Sequence, residues 1–249
     1  MFRNPSLGDV KQRMQQSLML RLLSLGFLAL LLQIPILEIE STISDREATQ
    51  SQAISEVTST WGGRQQIAGP VLSVPYLDHW VDEKNVEQIV TRHAYFLPKA
   101  VRIKGDVKTE VRHRGIFDVP LYETALEVEG EMPQPDFSEW PISPRDVLWD
   151  GAMLVVGIAD PKAIREQITL EWNEKPIPFG PGQDGAAFFP GGIHAKPPSL
   201  KHGQVGDTYR FRFSVVLGGA NDLRFMPFGT SSDVALKSTW PNPSFVGDY

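Results

Sequence analysis

Val101-Arg102-Ile103-Lys104-Gly105-Asp106-Val107-Lys108-Thr109-Glu110-Val111-Arg112 sets Val, Ile or Thr at every second position except Gly105, with a charged residue between each. Side chains alternate faces along an extended chain, so the passage reads as a strand with one face on a core and the other in water. Tyr209-Arg210-Phe211-Arg212-Phe213-Ser214-Val215 repeats the pattern. Around these lie further strand candidates at 71–76, 86–97, 117–122, 125–128, 152–158, 167–172 and 234–240, separated by Gly, Pro, Asn or Asp. Short strands at this spacing predict a mainly β fold, an antiparallel β-sandwich or pair of sheets rather than βα units. One short helix is expected at 161–167, with Asp160 as cap and Pro161 in the first turn. The Gly- and Pro-rich stretch 179–199 reads as the longest loop.

Composition agrees with strands and narrows function. The 249 residues hold 21 Gly and 20 Pro with no collagen-like period, and 41% are hydrophobic, enough for a substantial core. A formal net charge of -6 argues against a nucleic-acid partner, which needs clustered basic groups. The absence of Cys excludes a thiol nucleophile, a Cys-ligated metal and a disulfide framework.

Toward the N-terminus the pattern changes. Residues 22–37 carry no charge, and Leu18 to Leu20 extend the apolar run past Arg21. About twenty residues at 1.5 Å each span the roughly 30 Å of a bilayer's hydrocarbon, so residues 18–37 are expected to cross a lipid bilayer as an anchor helix. No A-x-A-like site follows the run, which favours an uncleaved anchor over a signal peptide. Arg3, Lys11, Arg13 and Arg21 precede it against Asp9, whereas Glu38, Glu40, Asp45, Glu47 and Glu56 follow it against Arg46. The positive-inside bias puts residues 1–17 in the cytoplasm as a tail, and everything after Leu37 on the outer face, the periplasm of a Gram-negative cell. Ile36, Ile39, Ile43, Ile54, Val57 and Trp61 share one helical face, so residues 38–63 are expected to form an amphipathic stalk helix packing on a β-rich domain at 64–249. Pro35 is expected to kink the helix, and Gly62-Gly63 to end it.

Chemistry-bearing motifs are sparse. The sequence holds no G-x-S-x-G, G-x-x-x-x-G-K-[ST], H-E-x-x-H or strand-following G-x-G-x-x-G. Phe228-Gly229-Thr230-Ser231-Ser232-Asp233 places serines beside an acid, with His194 or His202 as a conceivable base, a combination that chance supplies in most chains. His79, His93, His113, His194 and His202 lack the spacing of a metal-ligand pair and read as solvated or turn histidines. Gly180-Pro181-Gly182-Gln183-Asp184-Gly185 lacks the lysine and helix N-terminus of a phosphate loop. Trp80, Trp140, Trp149, Trp172 and Trp240 suit either core packing or an interface. No catalytic, cofactor-binding or metal residue is therefore assigned.

Ser59-Thr60-Trp61-Gly62-Gly63 and Gly69-Pro70-Val71-Leu72-Ser73-Val74-Pro75-Tyr76 follow the anchor. After them come, in order, Tyr95-Phe96-Leu97-Pro98, Thr109-Glu110-Val111-Arg112-His113-Arg114-Gly115-Ile116-Phe117, Val156-Gly157-Ile158-Ala159-Asp160, Gly192-Ile193-His194-Ala195 and Ser238-Thr239-Trp240-Pro241-Asn242-Pro243-Ser244-Phe245. This ordered set resembles the CreD family of inner-membrane proteins over nearly the whole chain. The resemblance implies a large periplasmic β domain associated with envelope integrity, envelope stress and tolerance to certain colicins, and implies no catalytic residues. It also implies several further transmembrane helices after the Trp-Pro-x-Pro-Ser-Phe motif. This sequence ends at Tyr249, so that bundle is expected to be absent from it.

The expected protein is a single-pass, non-enzymatic component of envelope integrity and stress response. It would bind an envelope protein or glycan through a sheet edge, the stalk helix or the 179–199 loop, with no cofactor; its oligomeric state is not legible. A periplasmic hydrolase using Asp160, Asp184 or Asp233 in a cleft is the alternative, and a transmembrane sensor, with little cytoplasmic chain to signal through, stands third.

Overall fold

The alternation at Val101–Arg112 lies inside one long strand of a computed structural model, which describes residues 7–182, 189, 191–198, 200 and 204–247, without the side chains of 7–18, 20, 34–38, 40 and 41. The chain divides into two units, Met1–Ala53 and Ile54–Tyr249. One continuous helix, α1 (Leu7–Trp61), supplies most of the first unit and the opening turns of the second. The helix continues through Pro35. Among the described residues no helix is long and apolar enough to cross a membrane.

The second unit is mainly β. Its strands are β1 (Gln65–Val81), β2 (Glu87–Phe96), β3 (Ala100–Arg114), β4 (Phe117–Pro133), β5 (Met153–Ile158), β6 (Thr169–Trp172), β7 (Lys175–Pro178), β8 (Gly180–Pro181), β9 (Gly192–Ala195), β10 (Thr208–Ala220), β11 (Leu223–Met226) and β12 (Ser231–Ser238). One sheet runs β11-β1-β5-β9-β8, with β2 also paired to β1; the other runs β12-β3-β4-β10-β6-β7. The apolar positions of both enter a single buried cluster. Leu72, Val74, Leu154, Val156 and Ile193 come from the first sheet, and Val101, Ile103, Leu126, Val128, Trp172, Phe211 and Phe213 from the second. Two sheets sharing one core make a β-sandwich. The wet side of the second carries cross-strand ion pairs, with Glu129 between Arg102 (3.0 Å) and Arg212 (2.9 Å). The Arg212 and Arg102 hydrogen bonds hold the Glu129 carboxyl below its ordinary range.

Several expectations are corrected. The sandwich is not purely antiparallel, because β11 pairs β1 and β12 pairs β3 in parallel. Both strands are reached as the chain crosses from one sheet to the other, and a strand not delivered by a hairpin is free to pair either way. The candidates 117–122 and 125–128 are one strand, β4, whose Glu123 lies opposite Lys108 in the ladder. The helix expected at 161–167 is a single 3-10 turn, Pro161–Ala163, capped by Asp160 as anticipated. It stops because Ile164 bridges to Leu217 and the Arg165 N–H donates to the Val216 carbonyl, drawing the chain onto β10. The 179–199 stretch holds β8 and β9, the latter paired to β5 inside the first sheet, while residues 183–188, 190 and 199 lie outside the described residues.

Of the expected stalk face, Ile54, Val57 and Trp61 pack on Val119, Leu121 and Ala220, on the side of the second sheet turned away from the main core. Ile39 and Ile43 are exposed. Gly62 ends the helix at φ 122°, donating its N–H to the Thr58 carbonyl at 2.9 Å. A Cβ there would sit 2.7 Å from the Gly218 carbonyl oxygen, so both backbone conformation and space require glycine.

Candidate interaction surface

The residues singled out for catalysis do not converge. Asp160 is occupied as a cap, accepting hydrogen bonds from the backbone N–H of Lys162 (3.2 Å) and Gly63 (3.4 Å). Ser231, Ser232 and Asp233 open the exposed strand β12 of the second sheet, whereas His194 stands on β9 of the first with Nδ1 3.3 Å from the Gly182 carbonyl. Asp184 and His202 lie outside the described residues. Among the described residues no group of three His, Asp or Glu is arranged to hold a metal ion. One serine–histidine contact escaped sequence reasoning: Ser73 Oγ lies 3.0 Å from His93 Nδ1, joining β1 to β2. Ser73 is 1% exposed, and no carboxylate among the described residues hydrogen-bonds His93, so the pair reads as a cross-strand tie.

What the fold does assemble is an aromatic surface around a projecting ribbon. β1 and β2 pair without a register break from Leu72 opposite Phe96 to Val81 opposite Glu87. β5 leaves β1 after Ser73, and the chain before β5 takes over that edge. Tyr76 bridges to Val147, the Leu77 N–H donates to the Asp146 carbonyl, and the Leu148 N–H to the Pro75 carbonyl, each bond 2.9 Å. This lays the 134–148 loop against the ribbon. Phe137 becomes the hub, its ring centroid 5.2 Å from Phe96, 5.6 Å from Trp140, 5.8 Å from Trp149 and 6.4 Å from Tyr76, all near edge-to-face. Phe96, Phe137 and Trp149 rest on the main core, while Trp140 reaches solvent.

Beyond the loop the ribbon stands with apolar side chains in water. Trp80 is 49% exposed, Val81 60%, Val86 52% and Ile89 57%. Its end is fixed by Asp82, whose carboxylate accepts from the backbone N–H of Lys84 and Val86 (both 2.9 Å) and from Gln88 Nε2 (3.1 Å). The Val86 backbone bond is the largest cause holding the Asp82 carboxyl below its ordinary range. His79 ties ribbon to loop, with Nδ1 3.1 Å from Glu87 and Nε2 3.6 Å from Asp146. The Glu87 hydrogen bond, helped by Asp146, raises its pKa above the ordinary 6.5. The sequence offers a strand at 86–97 and marks Trp80, Trp140 and Trp149 as suiting core or interface; the gathering of Phe96, Trp140 and Trp149 around Phe137 depends on the 134–148 loop, which has no periodic signal.

Fold and surface define a class: a β-sandwich unit entered by a long N-terminal helix, with an exposed aromatic ribbon. The chain belongs to the CreD family of inner membrane proteins, whose profile matches residues 17–249. It is 25% identical over 236 residues to Inner membrane protein CreD of Escherichia coli strain K12, covering 92% of this chain and 50% of that protein. The chain thus spans about half the length of the curated relative it matches. No solved structure matches it.

Proposed function

We propose that this chain is an inner-membrane component of envelope integrity and stress response. Residues 1–17 lie in the cytoplasm, 18–37 cross the bilayer, 38–63 continue as the stalk, and 64–249 form the periplasmic domain. The reading of the span rests on the sequence and on α1. From Leu22 to Leu32 every large apolar side chain is exposed, and these positions cover all sides of the helix. Such a helix is stable only in hydrocarbon or deep within other helices. The charge bias across the run supplies the orientation.

The domain works by binding, without catalysis, and the exposed ribbon beside the aromatic cluster is the observation that carries this reading. Isolated exposed apolar residues are ordinary, but four of them on one hydrogen-bonded hairpin, with Trp80 and Val86 on one face and Val81 and Ile89 on the other, indicate a contact site. The partner is an envelope protein or glycan. Replacing Trp80 by a photocrosslinking residue in cells, with Gln167 on the exposed turn before β6 as control, tests it. A discrete adduct from position 80 and none from 167 is expected; equal or absent adducts contradict the reading.

A further inference from the structure

Of the strands paired on one side alone among the described residues, β2 is the longest. Natural sheets blunt their edges with proline, shortness, bulges or charge, because a free row of N–H and C=O groups recruits further strands. Here β7 carries Pro176 and Pro178, β8 is two residues long with Pro181, and β11 is four residues long. β12, with Asp233 and Lys237 as β2 has Glu87 and Arg92, is shorter at eight residues. β2 runs ten residues with no proline and no register break against β1, and among the described residues it pairs with β1 alone. Ile89 and Val90 are exposed at its middle, and Arg92 is drawn back onto Asp78 of β1 at 2.6 Å.

We infer that the outer edge of β2 is a docking strand for an extended polypeptide segment of alternating cationic and apolar residues. The inference rests on the reading of the ribbon as a binding surface and deepens it by naming the partner's chemistry. Only a peptide backbone in extended form satisfies a row of alternating donors and acceptors, which excludes a glycan as the occupant of this edge. Charge selects the kind of peptide. Between residues 78 and 92 stand Asp78, Asp82, Glu83 and Glu87 against Lys84 and Arg92, and Asp146 approaches through His79. Arg92 is already paired with Asp78, so the ribbon's end presents an acidic rim around Trp80, Val81 and Ile89. Apolar side chains of an incoming strand would meet Val90, on the face it shares with Trp80, while its cationic ones lie on the opposite face beside Ile89 and Glu87, with charge guiding encounter and register.

The test uses the full chain in detergent micelles and two synthetic probes of about eight residues, the usual strand length or slightly more, one alternating Lys with Val and the other Glu with Val. The Lys-Val peptide should bind, more weakly as salt rises, and protect amides of Glu87–Phe96 from hydrogen exchange. Ile89→Lys, on an exposed side chain that the fold does not need, and Glu83→Lys should each weaken binding by about tenfold or more. Val234→Lys on β12 should leave it unchanged. Equal or tighter binding of the Glu-Val peptide, protection confined to other strands, or β2 protection arising from self-association without peptide would overturn the inference. If these fail while position 80 still yields a discrete adduct in cells, the cationic-strand mode falls and the ribbon's role as a binding surface stands.

Discussion

Trp61 meets two guanidinium groups, Arg112 at 4.4 Å and Arg165 at 4.7 Å from its ring centroid. Its Nε1–H donates to the Tyr122 carbonyl at 3.0 Å, and its own carbonyl accepts from Arg165 Nη2 at 2.6 Å. Packing, cation–π contact and hydrogen bonds thus meet in one side chain where the helix ends on β4 and β10. Trp61→Ala should destabilise the β unit by about 2–3 kcal/mol, below the full cost for a wholly buried aromatic because Trp61 is only partly buried. Trp61→Phe, which keeps most of the packing and loses the Nε1 bond, should cost about 1 kcal/mol. Urea unfolding followed by circular dichroism measures both. The helical spacing Ile54, Val57, Trp61 is readable in the sequence, as is the glycine stop. The two arginines are not, since Arg112 reads only as the wet side of a strand and Arg165 as part of an expected helix.

At the level of elements, His79 couples the β1–β2 ribbon to the 134–148 loop. Its folded pKa is raised, so the stabilisation it contributes is fully present below the ordinary value of 6.5 and is lost as pH rises through the folded value. Exchange of the Leu77 amide, which bonds to the Asp146 carbonyl, should therefore be slower relative to its intrinsic rate at about pH 5.5 than at about pH 8. His79→Phe should flatten that difference, and an unchanged pH dependence would remove His79 from the coupling. Strand existence was largely legible here, because period-two alternation survives wherever one face is wet, as at β3 and β10. It was lost where strands are short or glycine-bearing, as at β9, whose Gly192-Ile193-His194-Ala195 shows no such period. Pairing direction was illegible for β11 and β12, because no local signal records which sheet a chain crosses to.

For the whole molecule, the ordered motifs from Ser59 to Phe245 marked the family that the profile match over residues 17–249 shows. The surface proposed to act was only partly visible: Trp80, Trp140 and Trp149 could be flagged, but the gathering of Trp140 and Trp149 around Phe137 depends on the tertiary packing of the 134–148 loop. Everything the ribbon can bind depends on which side of the membrane the β unit occupies. Because the chain has no cysteine, single substitutions report this without background. Gln12→Cys and Gln167→Cys, expressed separately and exposed to a membrane-impermeant maleimide after the outer membrane alone is permeabilised, measure it directly. The account predicts that position 167 labels at once and position 12 only after the inner membrane is broken; the reverse order, or immediate labelling at both, would contradict it.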